Sequence, residues 1–151
     1  MKRHIALFPL SHHHQHVLVQ AKRLSKVSSS TTDAKRAGLA KAFLNLWIPN
    51  GVRHFRDEEE ILLPAMAIRT DPGREEFAVL SGQHLEIRSL IHEVARSLET
   101  GEIPSWELLS GLGQALEAHV RFEEHVLFPL AESILTKEDL VRIERDLRGA
   151  G

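Results

Sequence analysis

The sequence predicts an all-α protein: an up-down-up-down four-helix bundle with a short fifth helix at its C-terminal end. Three observations carry this. Apolar residues recur at helical spacing through four long stretches, and no segment alternates apolar and polar residues as a half-buried strand does. The stretches are joined by short polar breaks, which favours antiparallel neighbours. With 151 residues, 42% of them hydrophobic, the chain is long enough for one core and reads as a single domain over 1–151, its bundle spanning about 7–132 and its last helix about 136–148.

The first helix is expected from an N-cap at Ser11 to about Val27, with Leu10, Val17, Leu18, Ala21 and Leu24 on its apolar stripe. After the polar loop 28–32, Asp33 is placed as the cap of a long second helix running through Phe43, Leu44, Trp47, His54, Glu58, Ile61 and Leu62 to about Met66. Pro49 lies inside it, where a proline removes a ladder hydrogen bond and kinks the helix. The kink is either tolerated packing or a thinned wall one turn before His54. Asp71-Pro72-Gly73 is a turn, and a third helix from about Arg74 to Glu99 turns Phe77, Leu80, His84, Ile87, Ile91 and Val94 inward. Thr100 to Pro104 breaks the pattern, and Ser105 caps a fourth helix to about Ile134. Thr136 to Asp139 resembles a capping box for the fifth, apolar at Leu140, Ile143 and Leu147.

The fourth helix carries the most informative stretch, His119 to Leu130. His119 and Glu123 are i,i+4 neighbours, about 5 to 6 Å apart at Cβ, so an imidazole and a carboxylate aim at one point. Leu108, Leu112, Ala115 and Leu116 on one side, and Val126, Leu127 and Leu130 on the other, place that point on the buried stripe. A buried carboxylate costs several kcal/mol unless a cation or strong hydrogen bonds meet it. The phrase recurs 65 residues earlier: His54, Glu58, Glu59, Leu62 and Pro64 match His119, Glu123, Glu124, Leu127 and Pro129. A second match, at a shift of 70, sets Leu10, Ser11, His14 and Val17 against Leu80, Ser81, His84 and Ile87. The chain is thus two helical hairpins, each with one lone histidine and one H-x3-E.

In an antiparallel bundle the four stripes face one axis, so His14, His54, Glu58, His84, His119 and Glu123 converge. A single histidine on an apolar stripe is more often a hydrogen-bonded core residue than a ligand; register with both H-x3-E pairs is what singles out His84. Four imidazoles and two carboxylates exceed the needs of one tetrahedral zinc and suit two metals, with iron, manganese and zinc all compatible. If both carboxylates bridge, each metal keeps room for a small ligand. His12, His13 and His16 are expected to face solvent or back up the ligands, although His12 and His16 are themselves i,i+4 and define a rival register. Glu59, Glu60 and Glu124 fall off the stripe and are expected in solvent, or as acceptors for a ligand N–H. His92 and His125 are expected on the surface.

Composition narrows the chemistry. No cysteine means no disulfide, thiolate ligand or cysteine nucleophile, and no tyrosine means no tyrosyl radical. A formal net charge of -2 offers no general attraction to nucleic acid or anionic membrane. The opening Met1 to Pro9 is too short an apolar run for a signal peptide, and nothing is long enough to span a membrane, so a cytoplasmic location is expected.

These residues resemble the hemerythrin-like family, the HHE cation-binding domain, over roughly residues 7–132: a lone His, H-x3-E, a second lone His, then H-x3-E on consecutive helices. The resemblance implies a non-haem di-iron centre with His14, His54, His84 and His119 as terminal ligands and Glu58 and Glu123 as bridges. The best-known oxygen carriers of the family have a fifth histidine in an H-x3-H on the third helix. Here Leu80 and Arg88 flank His84 at those spacings. That points away from stable oxygen carriage and toward a module that binds or senses dioxygen or nitric oxide. The alternatives are an oxidase, peroxidase or nitric-oxide-handling enzyme at the same centre, and a zinc-binding or metal-free interaction domain. Ferritin-like proteins use E-x-x-H with two further glutamates, a pattern poorer in histidine than this one. Arg88 is expected either in solvent or turned inward toward an anionic ligand.

Overall fold

The computed structural model describes residues 2–149. Met1, Ala150 and Gly151, which the single-domain reading includes, lie outside the described residues. Among the described residues, five helices come after a short 3₁₀ turn at Ile5–Leu7: α1 Phe8–Ser25, α2 over residues 33–69, α3 Glu75–Glu99, α4 over residues 106–134, and α5 Lys137–Gly149. No strand occurs among the described residues.

Burial along each helix gives the topology. Val17, Phe55, Ile87 and Val120 belong to one apolar cluster, and Leu10, Leu62, Leu80 and Leu127 to another. α1 and α3 therefore run from the second cluster to the first, and α2 and α4 run back, the expected up-down-up-down order. His14, Glu58, His84 and Glu123 lie between these markers, His54 and His119 stand directly beside Phe55 and Val120, and all six are buried. A polar layer divides the core in two. α5 closes the second half with Leu140, Ile143 and Leu147.

α1 packs closely on α4 because Gly113 has no side chain: a Cβ there would sit 2.6 Å from Ala21 O. α3 ends in a Schellman motif, with Glu102 N–H on Ser97 O and Gly101 N–H on Leu98 O. Gly101, at φ 79°, takes the left-handed position this requires.

Two caps differ from expectation. α1 begins at Phe8, ahead of Ser11, because Pro9 in its first turn is preorganised for helix and has no N–H to satisfy; Ser11 Oγ instead donates to Glu124. α2 is capped by Thr32, whose side chain accepts from Lys35 N, with Asp33 as the first helical residue. Ser105 caps α4 as expected, accepting from Leu108 N. Thr136 and Asp139 form the reciprocal capping box at α5: Asp139 N–H donates to Thr136 Oγ1 at 3.1 Å and Thr136 N–H to Asp139 Oδ2 at 3.0 Å.

The long helices are interrupted three times by single π turns, at Trp47–Gly51, Glu58–Leu62 and Glu123–Leu127. Each is closed by an i→i−5 bond: Val52 N–H to Trp47 O, Leu63 N–H to Glu58 O, and Phe128 N–H to Glu123 O. Pro49, Pro64 and Pro129 sit in or just after these turns, where a missing N–H and ring bulk disturb the regular ladder. The added residue rotates the helix beyond the turn. Val126 is consequently exposed, against expectation, while Leu127 and Phe128 are fully buried.

Candidate metal centre

Glu58 and Glu123 each start a π turn, and both are fully enclosed. The imidazole Nε2 atoms face them. His84 Nε2 is 3.1 Å from Glu58 Oε1, and His54 Nε2 is 3.2 Å from Glu58 Oε2, so this carboxylate gives one oxygen to each side. His14 and His119 Nε2 lie 3.0 and 2.9 Å from Glu123 Oε1. His14 and His54 Nε2 are 3.2 Å apart. Two groups of four donors result, His14, His54, Glu58 and Glu123, and Glu58, His84, His119 and Glu123, in each of which the ligand atoms lie within 4.8 Å of one another. All six predicted residues are brought together, and His12 and His16, the rival register, are exposed.

The outer face of the site fixes which nitrogen carries hydrogen. His14 Nδ1–H donates to Glu124 Oε2 at 2.7 Å, His84 Nδ1–H to Glu59 Oε2 at 2.6 Å, and His119 Nδ1–H to Gln83 Oε1 at 2.7 Å. With the proton held on Nδ1, a neutral imidazole turns its Nε2 lone pair inward. Lone pairs would then face carboxylate oxygens at hydrogen-bond distance with no hydrogen between them, an arrangement that calls for cations. Glu58 Oε2, Glu123 Oε2 and His119 Nε2 are buried without a hydrogen-bond partner. Imidazole and carboxylate suit iron, zinc or manganese, so the residues present fit a bound metal.

In the absence of metal, protons do part of the work. Burial, with the neighbouring Glu123 charge, pushes the Glu58 carboxyl well above its ordinary range. Burial acts to lower His14, but the hydrogen bonds to Glu123 and Glu124 outweigh it and raise its affinity for a proton. His84 is pushed down to about 4, chiefly by burial. Burial acts to raise Glu123, yet the surrounding histidine contacts, His119 foremost, hold it well below the usual carboxylate range.

Glu59 and Glu124 take the second of their two expected roles, as half-buried acceptors of a histidine N–H. Each takes the hydrogen of one lone histidine and is held in turn by an arginine: Arg88 reaches Glu59 through two bonds of 2.7 and 2.9 Å, and Arg3 reaches Glu124 at 3.2 Å. Arg88 thus stays on the solvent side, the first of its two expected places, tied there to Glu59; its guanidinium also lies 5.3 Å over Phe55. Phe55 stacks on His84 at 3.7 Å and Phe128 on His14 at 5.5 Å. Glu60, His92 and His125 are exposed as expected. Gln83 was invisible as a site residue, since a glutamine carries no ligand signature; its position beside His84 was the only signal. His13 is half-buried rather than solvent-facing, stacked on His54 at 4.7 Å.

No helix among the described residues is long and apolar enough to cross a membrane. In comparisons with curated proteins and with solved structures, nothing matches the chain. A family model does: residues 7–131 match the hemerythrin HHE cation-binding domain, and that span holds all six converging ligands and both H-x3-E phrases. By this match over most of its length, with a buried His/Glu cluster fit to hold a metal cation, the chain belongs to the hemerythrin HHE cation-binding family.

Proposed function

We propose that this chain holds two metal ions, iron first, and binds or senses dioxygen or a related small molecule such as nitric oxide. One observation carries the reading: the two four-donor groups share both carboxylates, and Glu58 presents one oxygen to each. His14 and His54 would serve one ion, His84 and His119 the other, and Glu58 and Glu123 both. Bound iron would supply redox electrons and a coordination position open to a small ligand. The chain's own residues do the rest. Glu59, Glu124 and Gln83 keep the hydrogen on Nδ1, and Phe55 and Phe128 keep water from two of the rings. Zinc and manganese accept the same donors.

Leu80 and Arg88 stand where a fifth histidine would need to be, and Arg88 is committed to Glu59. Neither donor group gains a further nitrogen among the described residues. This favours a sensor or a slow oxidase over a carrier. Elemental analysis of anaerobically iron-loaded protein tests the stoichiometry: two ions per chain are expected, and saturation at one would defeat the dinuclear reading. Reducing the iron form, admitting oxygen and then removing it tests the function. Clean recovery of the reduced spectrum over many cycles would make the protein a reversible carrier instead.

A further inference from the structure

Three of the four ligand histidines have their outer nitrogen gripped by a protein oxygen. The fourth, His54, does not: its Nδ1 has no hydrogen-bond partner among the described residues. The internal repeat shows what is missing. His54 corresponds to His119, and Gln83, which holds His119 Nδ1, corresponds to His13 at the shift of 70. His13 does not grip His54. It stacks on that ring, and both of its own nitrogens are buried without a partner. A neutral imidazole always presents one donor and one acceptor, and a buried polar group left unmet is destabilising.

Beside these two rings lies a cavity of about 220 Å³, walled by Pro49 and Asn50 of the first π turn, Leu147 of α5, and Arg53 and Asp57. A water occupies about 30 Å³ in the liquid, so the space admits a small organic anion. His54 lines this cavity, and with its Nε2 turned to the carboxylates, Nδ1 is the nitrogen left to it. Arg53 uses Nη2 on Leu147 O at 3.1 Å and sets Nε 3.5 Å from Asp57. Its Nη1 has no partner among the described residues. Asp57 counters the guanidinium on the Nε edge only. The donors left to the cavity are thus His54 Nδ1–H and the solvent-exposed Arg53 Nη1, while the His13 ring, its nitrogens buried, packs on His54 at the cavity wall.

We propose that the cavity beside His54 binds a small carboxylate or similar oxyanion, held by Arg53 and the His54 Nδ1–H, which supplies to His54 from outside the acceptor that the chain supplies to the other three ligands. The coupling to His54 rests on the metal-centre reading above. Occupancy would strengthen His54 as a ligand, as a carboxylate on the far nitrogen of a metal-bound imidazole does. The metal centre would then respond to the concentration of a small organic acid.

The test uses zinc-loaded protein with isotope-labelled histidine, its zinc content measured first, titrated with sodium formate at an ionic strength fixed by sodium chloride. Saturable shifts of the His54 and His13 ring nitrogens are expected, with His14, His84 and His119 moving little. Arg53→Gln should weaken formate by about tenfold or more, the worth of a charged hydrogen bond. His13→Gln should place an amide where Gln83 stands in the other half, keep zinc, and lose the response. Non-saturating shifts, or the same shifts in both variants, would overturn the proposal. Repeating the titration without metal separates the two readings. If zinc fails to load, formate must still saturate through Arg53; if zinc loads and formate does not bind, the cavity proposal fails and the metal centre stands.

Discussion

Loading the centre should displace protons, so the stability that metal adds should depend on pH. In the metal-free chain Glu58 and His14 both hold a proton more tightly than in the unfolded chain, so each adds stability that is present below its unfolded value and lost as pH rises through its folded one. Metal must remove both protons. At one hundred times the dissociation constant, binding adds about 2.7 kcal/mol per site, or about 5 for two. That is a rise in Tm of roughly 10 to 20 °C for a domain of this size. Each displaced proton weakens loading by about 1.4 kcal/mol per pH unit, so the gap narrows as pH falls. His13 and His84, pushed down to about 3 and about 4, withdraw stability as pH falls below 6.5. Both are unprotonated with and without metal, so they cancel in the difference. The assay is thermal melting of metal-free and zinc-loaded protein from pH 7.5 to 5.5. A gap of constant width would refute the exchange of protons for metal.

The other perturbations separate ligands from their supports. Glu59→Gln and Glu124→Gln should weaken metal binding by about 10 to 100-fold in a competitive chelator titration, whereas Glu60→Ala should leave it unchanged. Glu58→Ala and Glu123→Ala should lose the paired ions, and His14→Ala should lower occupancy while His12→Ala and His16→Ala keep it; the reverse result would transfer the site to the rival register. Asp139 closes the α5 capping box and accepts 2.7 and 2.9 Å bonds from Arg69. Asp139→Ala should cost about 1 kcal/mol for the cap alone. That lowers Tm by about 2–4 °C. Because Arg69 holds the Asp139 carboxyl far below its ordinary value, this contribution is present above about pH 4 and lost on further acidification.

Periodicity and repetition in the sequence determined the helical class, the order of the helices and the six inward residues. Helical spacing fixes which side chains share a face, and two copies of one pattern fix the register between halves. The supporting residues were decided by the tertiary structure. Glu59 and Glu124 sit one residue past Glu58 and Glu123, off the apolar stripe, and no helical wheel brings them to an imidazole on another helix. Only the side-by-side packing of α1 on α4, and of α3 on α2, delivers them to His14 and His84. The π turns were equally hidden, since a bulge depends on how a local loss of hydrogen bonds at proline is relieved by packing. With one residue added, Val126 leaves the core and Phe128 enters it. His13 obeys the same rule: its chemistry is plain in the sequence, but the pocket it lines is shared with Pro49 and Leu147, 36 and 134 positions away along the chain.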